Sequence, residues 1–227
     1  MRTAVFDLDG TLADTSADLI AAANAALAHG GHGVELDPLS DAKIAFAGGR
    51  AMLTAGLTRL EHPEMAGQVE TLYPVLLDAY RDKISVHTRL YDGVEGTLDA
   101  LEARGWILAV CTNKPEALAL DLLERLGLGQ RFRAMLGADT LPVRKPDPTH
   151  LLETVARAGG RREASVLIGD TVTDRETARR AEVPCVLVGF GPEGRAVADL
   201  NPEAIVDSYS ELPDVLEGLV PAARRSA

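Results

Sequence analysis

Cysteine, lysine and long apolar runs are all scarce in this 227-residue chain. The two cysteines, Cys111 and Cys185, each fall in an apolar run and show no paired spacing. They predict two reduced, buried thiols in a cytoplasmic protein rather than a disulfide framework. No apolar run approaches the roughly 18 residues that span a bilayer. No secretory leader is read either, since acidic residues follow Arg2 within a few positions. Cations are outnumbered, with 23 Lys and Arg against 34 Asp and Glu, a formal net charge of -11. That balance argues against a chain whose main task is to bind nucleic acid or an anionic membrane. It leaves room for an anionic substrate, because a few cations or a metal reverse the field locally. The five histidines, His29, His32, His62, His87 and His150, lack metal-ligand spacing and read as surface or structural residues. No Gly-x-Gly-x-x-Gly follows the first strand, which removes support for a nucleotide-binding dehydrogenase.

What is present is the composition of a soluble globular protein, 46% hydrophobic and 25% charged, long enough for one large domain or two modest ones. An apolar strand at Thr3 to Phe6 ends in Asp7-Leu8-Asp9 and breaks at Gly10. Helical periodicity then takes over. One helix runs to about Ala28, with Asp14, Thr15 and Ser16 as N-cap choices and Gly30-Gly31 as its stop. Further helices are expected over Ser40 to Phe46, capped by Ser40, from Arg50 to about Leu60, and from near Pro63 to about Lys83. Pro74 is expected to bend or divide the last.

From Tyr91 the rhythm changes. Helices at Gly93 to Arg104, Pro115 to Leu126, Pro148 to Ala158, Thr173 to Ala181 and Ser210 to about Leu219 alternate with apolar strands. Those strands are Trp106 to Cys111, Ala134 to Leu136, Ser165 to Ile168, Cys185 to Val188 and Ala204 to Val206. The tail, Pro221 to Ala227, is expected to be loose. Apolar strands buried on both faces and separated by helices predict an α/β doubly wound parallel sheet, Rossmann-like. The expected division is a catalytic core of residues 1–13 and 87–227, with an all-helical cap, 14–86, inserted after the first strand.

Ligands gather at the carboxyl ends of such strands, so the residues just past each strand are informative. Side chains alternate along extended backbone, so Asp7 and Asp9 project to one side together. Two crowded carboxylates repel and lose solvation, a cost that makes sense if a divalent cation sits between them. The plainer alternative is a strand-to-turn junction with acidic punctuation. The other strand ends carry Thr112-Asn113 and Gly169-Asp170-Thr171, with Asp174 one turn on, and Lys145-Pro146 lies between them. Two acids, a hydroxyl, one of only four lysines and a further acid at the ends of one sheet favour metal and phosphate.

This set resembles the haloacid dehalogenase-like hydrolase superfamily. Asp7-Leu8-Asp9-Gly10-Thr11 matches its first motif, Thr112-Asn113 its second, Lys145-Pro146 its third, and Gly169-Asp170 with Asp174 its fourth, all in order. The helical insertion looks like the cap of the subgroup that includes phosphoglycolate phosphatases, on the looser ground of Asp14, Asn24 and Gly48-Gly49-Arg50. The resemblance implies a magnesium-dependent phosphoric monoester hydrolase acting on a small phosphorylated metabolite, with phosphoglycolate the leading substrate. Asp7, ionised at neutral pH, would be the nucleophile and form an aspartyl phosphate. Asp9 would give a proton to the leaving oxygen and later take one from water, which calls for a raised pKa. Magnesium would be held by Asp7, Asp170 and the backbone carbonyl of Asp9. Thr112, the Asn113 amide and Lys145 would hold the phosphoryl oxygens. Asp174 either orients the metal's surroundings or caps the next helix. Arg50 is the cap residue that could reach a substrate anion, or an exposed arginine at a helix start. Lys114, just after the second motif, would add only positive field.

Three other readings share part of this pattern. A hexose-phosphate mutase keeps both aspartates, and a dehalogenase has no leaving alcohol for Asp9 to protonate. A receiver-like phospho-signalling module also uses strand-end aspartates, a threonine and Lys-Pro. It is about half as long and has no helical insertion. A monomer or homodimer with no nucleic-acid or membrane partner completes the expectation.

Overall fold

The computed structural model of the protein describes residues 1–33, 35–59 and 67–222. In chain order, β1 (Arg2–Phe6) leads through β2 (Ala13–Asp14) into four helices, α1 (Ser16–His29), α2 (Ala42–Phe46), α3 (Gly49–Thr58) and α4 (Val69–Asp82). After β3 (Arg89–Leu90) come α5 (Val94–Ala103), β4 (Trp106–Cys111), α6 (Glu116–Arg125), β5 (Ala134–Leu136) and α7 (Pro148–Arg157). The chain closes with β6 (Ser165–Gly169), α8 (Val172–Ala181), β7 (Cys185–Val188), β8 (Ala204–Val206) and α9 (Leu212–Leu219). Two compact units result, Met1–Ala13 with Leu90–Ala227, and Asp14–Arg89.

The first unit is a six-stranded parallel sheet in the order β5-β4-β1-β6-β7-β8. The chain starts in the middle, moves outward through β4 and β5, then returns to the other side of β1 for β6, β7 and β8. β1 and β6 therefore flank the point where the winding reverses, the crevice where open α/β sheets bind ligands. The strands are largely apolar because helices cover both faces. On one face Val5, Cys111, Leu167 and Leu187 pack against Leu151 and Val155 of α7 and Ala178 of α8. On the other, α5 packs against β4 and α9 against α5. Phe6 stands opposite both Val110 of β4 and Ile168 of β6, and the Asp7 amide donates to the Ile168 carbonyl at 2.9 Å. The carboxyl ends of the three central strands are thus level.

Within the helical unit, Asp18 of α1 is buried and its carboxylate accepts the N–H groups of His87 and Thr88 at 3.0 and 2.8 Å. The start of α1 is thereby tied to the last residues of the unit. Asn24 both donates to and accepts from the Leu36 backbone at 2.8 Å, so this residue braces a connection. A side chain at Gly56 would begin 2.5 Å from Leu27, which is how closely α3 approaches α1.

Two helix expectations change here. Ser40 does not cap the second helix. Its hydroxyl donates to Asp37, α2 begins at Ala42, and Asp37 and Asp41 organise the turn by accepting the Ser40 and Asp37 amides respectively. Pro74 does not divide the fourth helix, which is continuous from Val69 to Asp82. Proline removes one bond, to the Glu70 carbonyl, and both residues are exposed, so water can take the place of the missing donor. Leu72, Leu76 and Tyr80 are buried along the same helix and hold it. The proposed end near Leu60 and start near Pro63 lie outside the described residues, as do His62 and the tail from 223. No helix among the described residues is long and apolar enough to cross a membrane.

Candidate active site

Each strand end on either side of the reversal point delivers one or two polar side chains. Asp7 follows β1 directly, Thr112 and Asn113 follow β4, and Asp170 follows β6. Asp174 joins them from the first turn of α8. That helix can come so close because residue 169 is glycine, where a Cβ would stand 2.4 Å from the Asp174 Cβ. Ligand oxygens of Asp7, Asp170 and Asp174 lie within 4.8 Å of one another.

Lys145 binds this cluster together. Its ammonium lies 2.6 Å from Asp174 Oδ1 and 3.0 Å from Asp7 Oδ2, with 1% of its side chain exposed. Burial works against the charge on Lys145, but the carboxylates of Asp174 and Asp7 more than offset it and push its pKa up. The Lys145 backbone is held too, since the Asn113 side-chain amide donates to its carbonyl at 3.0 Å. Asp174 belongs to the cap of α8, one of the two roles considered for it, and it also meets Lys145. Oδ1 takes the lysine, while Oδ2 accepts the N–H and hydroxyl of Thr171 at 3.1 and 2.8 Å, at the start of α8.

Burial raises the pKa of Asp7 to about 6, against the pull of Lys145 and with the help of the Asp174 and Asp9 charges. Asp170 is pushed well above the ordinary carboxylate range by burial first, then by the charges of Asp174 and Asp7. Thr11 Oγ1 donates to Asp170 Oδ1 at 2.8 Å, yet Asp170 Oδ2 is buried with no hydrogen-bond partner. A desolvated carboxylate oxygen without a partner is costly. Asp7, Asp9, Asp170 and Asp174 carry four acidic groups against the two ammonium groups of Lys114 and Lys145. When all are ionised the excess equals the charge of one divalent cation. Orphaned oxygen, ligand spacing and charge all fit a hard divalent metal with oxygen ligands.

Three residues make contacts that the sequence does not indicate. Thr112 is held through both its backbone and its side chain. Its N–H donates to the Leu136 carbonyl at 3.0 Å and its Oγ1 accepts the Lys114 N–H at 3.2 Å. Lys114 does more than add positive field near the site, for its ammonium lies 2.8 Å from Asp9 Oδ1. Arg50 is an exposed arginine at the start of α3, as one of its two readings had it, forked onto Glu70 at 2.7 and 2.9 Å and lying 3.8 Å over the Tyr73 ring. Tyr209 had no sequence signal. Fully buried, it donates its hydroxyl to the Thr11 carbonyl at 2.6 Å and so supports the residue that donates to Asp170.

The chain is similar to known proteins over most of its length. A family model described as haloacid dehalogenase-like hydrolase matches residues 4–188. A phosphoglycolate phosphatase of Agrobacterium fabrum is 39% identical over 219 residues, covering 96% of this chain and 93% of that one. A phosphoglycolate phosphatase of Mesorhizobium japonicum is 39% identical over 223 residues, covering 96% of each chain. Among solved structures, one described as a predicted phosphoglycolate phosphatase from Haemophilus somnus superposes with a TM-score of 0.83. It is 25% identical and covers 95% of this chain and 97% of its own.

Proposed function

This chain belongs to the haloacid dehalogenase-like hydrolase family and is a phosphoric monoester hydrolase; from that premise we propose that it cleaves phosphoglycolate, or a closely similar small phosphorylated metabolite, through an aspartyl phosphate on Asp7. The observation that carries the reading is the Asp7, Lys145, Asp174 and Asp170 cluster at level strand ends, with one Asp170 oxygen left without a partner. The substrate itself rests on the names of the 39% identical relatives.

In this reading Asp7 attacks phosphorus, the ester P–O bond breaks, and the proton on Asp9 passes to the leaving oxygen to give an alcohol. Water then gives its proton to Asp9 and attacks the phosphoryl group on Asp7, releasing inorganic phosphate and restoring both residues. Lys145 faces Asp7 and stabilises the charge on the transferring group, with Thr112 and the Asn113 backbone N–H beside it. The Asn113 side-chain amide serves to hold Lys145 in place. Magnesium would be held by Asp7, Asp170 and the Asp9 carbonyl, with Asp174 behind them. Bound there, it supplies neutralisation of the phosphate's negative charge. The two free, buried cysteines suit a reducing cytoplasm.

A phosphate-release screen over about fifty metabolites with magnesium tests the proposal. Release from phosphoglycolate that disappears in Asp7→Asn is the expected result. No release from any ester, or full activity in Asp7→Asn, overturns it.

A further inference from the structure

We propose that Phe190 is a positioning residue for the magnesium site, its ring joining three contacts that fix the turn after Asp9; this rests on the phosphatase reading above. That turn satisfies its own amides from within. Leu12 and Ala13 donate their N–H groups to the Leu8 carbonyl at 3.0 and 3.1 Å, and Gly10 donates to the Ala13 carbonyl at 2.9 Å. Three successive carbonyls are met from outside. The Leu12 carbonyl accepts the Tyr91 N–H at 3.1 Å, and the Thr11 carbonyl accepts the Tyr209 hydroxyl at 2.6 Å. The Gly10 carbonyl lies 3.0 Å from where a Cβ at Gly191 would stand, and the Asp170 Cβ lies 3.4 Å from the same point.

Phe190 connects the residues that make these contacts. It precedes Gly191, and its ring packs 5.2 Å from that of Tyr91 and 5.2 Å from that of Tyr209, tilted at 57° and 46°. Tilted pairs at this separation are an arrangement that aromatic rings prefer. The backbone before the ring is fixed as well. Gly189 donates its N–H to the Val206 carbonyl at 2.8 Å, and a Cβ there would stand 2.7 Å from Asp207 Oδ1. The segment Gly189-Phe190-Gly191 is therefore wedged between the end of β8 and the turn, and the glycines on each side of the ring let it fit.

The turn carries two groups on which magnesium would depend. One is the Asp9 carbonyl, and the other is Thr11, whose Oγ1 donates to Asp170 Oδ1 at 2.8 Å. Without the ring between them, Tyr91 and Tyr209 lose their common neighbour, and the carbonyls of Thr11 and Leu12 shift with them. A residue that only filled space would lower stability when truncated and leave the affinity for magnesium as it was.

The test is isothermal titration with magnesium, beside urea unfolding in chelator, for wild type, Phe190→Leu, Phe190→Tyr and Val183→Ala. Val183 is buried just before β7, at the end of that strand opposite the turn, so its truncation weakens the same unit away from the site. Phe190→Leu should weaken magnesium binding about tenfold, the lower end of what losing the support of a metal ligand costs. Phe190→Tyr, which keeps the ring, should bind as wild type does. Val183→Ala should unfold at lower urea and keep its affinity. Gly191→Ala, which presses a methyl group on the Gly10 carbonyl, is read in place of Phe190→Leu if that variant does not fold. Unchanged affinity in Phe190→Leu, or an equal loss in Val183→Ala, overturns the role of Phe190 and leaves the phosphatase standing. A wild type that releases phosphate yet binds no magnesium overturns this inference alone. One that releases no phosphate from any ester of the metabolite screen overturns the phosphatase reading and this inference with it.

Discussion

Asp7 sits where burial and Lys145 pull its proton in opposite directions, and burial prevails. Folding raises its pKa from 3.8 to about 6, so the folded, metal-free chain holds this proton more tightly than the unfolded chain does. The resulting penalty is absent below about pH 4, grows between about pH 4 and 6, and is complete above that window. At about 1.4 kcal/mol per unit, Asp7→Asn should stabilise the metal-free protein by about 2–3 kcal/mol at pH 8 and by almost nothing at pH 4. Urea unfolding in chelator at both pH values checks this, and turnover should be lost in the same variant. Lys145 has the opposite character. Removing one member of a buried ionic network costs about 3–5 kcal/mol, because the carboxylates left behind are neither solvated nor paired. Lys145→Met should therefore be strongly destabilised without metal, and magnesium should raise its melting temperature more than it raises that of wild type.

At the level of elements, the site depends on how near one helix comes to one strand. β6 ends in Gly169, and the first turn of α8 stands where its side chain would be. Gly169→Ala would drive a methyl group into Asp174, whose two oxygens hold Lys145 and Thr171. Overpacking of this kind costs about 1–3 kcal/mol. The variant should fold and melt lower, and its kcat should fall further than the loss of stability accounts for, since both Asp174 and Lys145 are displaced. Differential scanning calorimetry with steady-state kinetics reads the two effects separately. The sequence showed this junction as Gly-Asp-Thr before a helix. How closely the helix approaches is a matter of packing, which periodicity does not encode.

Across the whole chain, residues far apart in sequence meet beneath the acidic cluster. Tyr209 lies 198 positions from Thr11, yet its hydroxyl holds the Thr11 carbonyl, and Thr97 holds the Tyr209 carbonyl at 2.8 Å. Its ring packs 5.2 Å from that of Phe190, which in turn packs 5.2 Å from Tyr91. Tyr209→Phe keeps the ring and leaves a buried carbonyl without its donor, at a cost of about 1–3 kcal/mol. It should also weaken magnesium affinity, because Thr11 then holds Asp170 less firmly. Isothermal titration with magnesium tests that coupling, and unchanged affinity would confine Tyr209 to a structural role.

The sequence by itself determined the strands and their order of use. Trp106–Cys111, Ala134–Leu136, Cys185–Val188 and Ala204–Val206 all stand where their apolar runs placed them, because buried parallel strands need no partner-specific residues to be recognised. The polar residues at strand ends were legible for a related reason, since an apolar run that stops in an acid or a hydroxyl marks the end of the sheet where ligands gather. Ser40 is no cap because Asp37 accepts its N–H from three residues back and Asp41 accepts the Asp37 N–H from four residues on, a turn that periodicity does not reveal. Only the tertiary structure decided what the strand ends do to one another. The pairing of Lys145 with Asp174, of Lys114 with Asp9 and of Tyr209 with Thr11 depends on strand register and helix approach. A single ammonium among several carboxylates chooses its partner by distance, and distance arises only once β1 lies between β4 and β6.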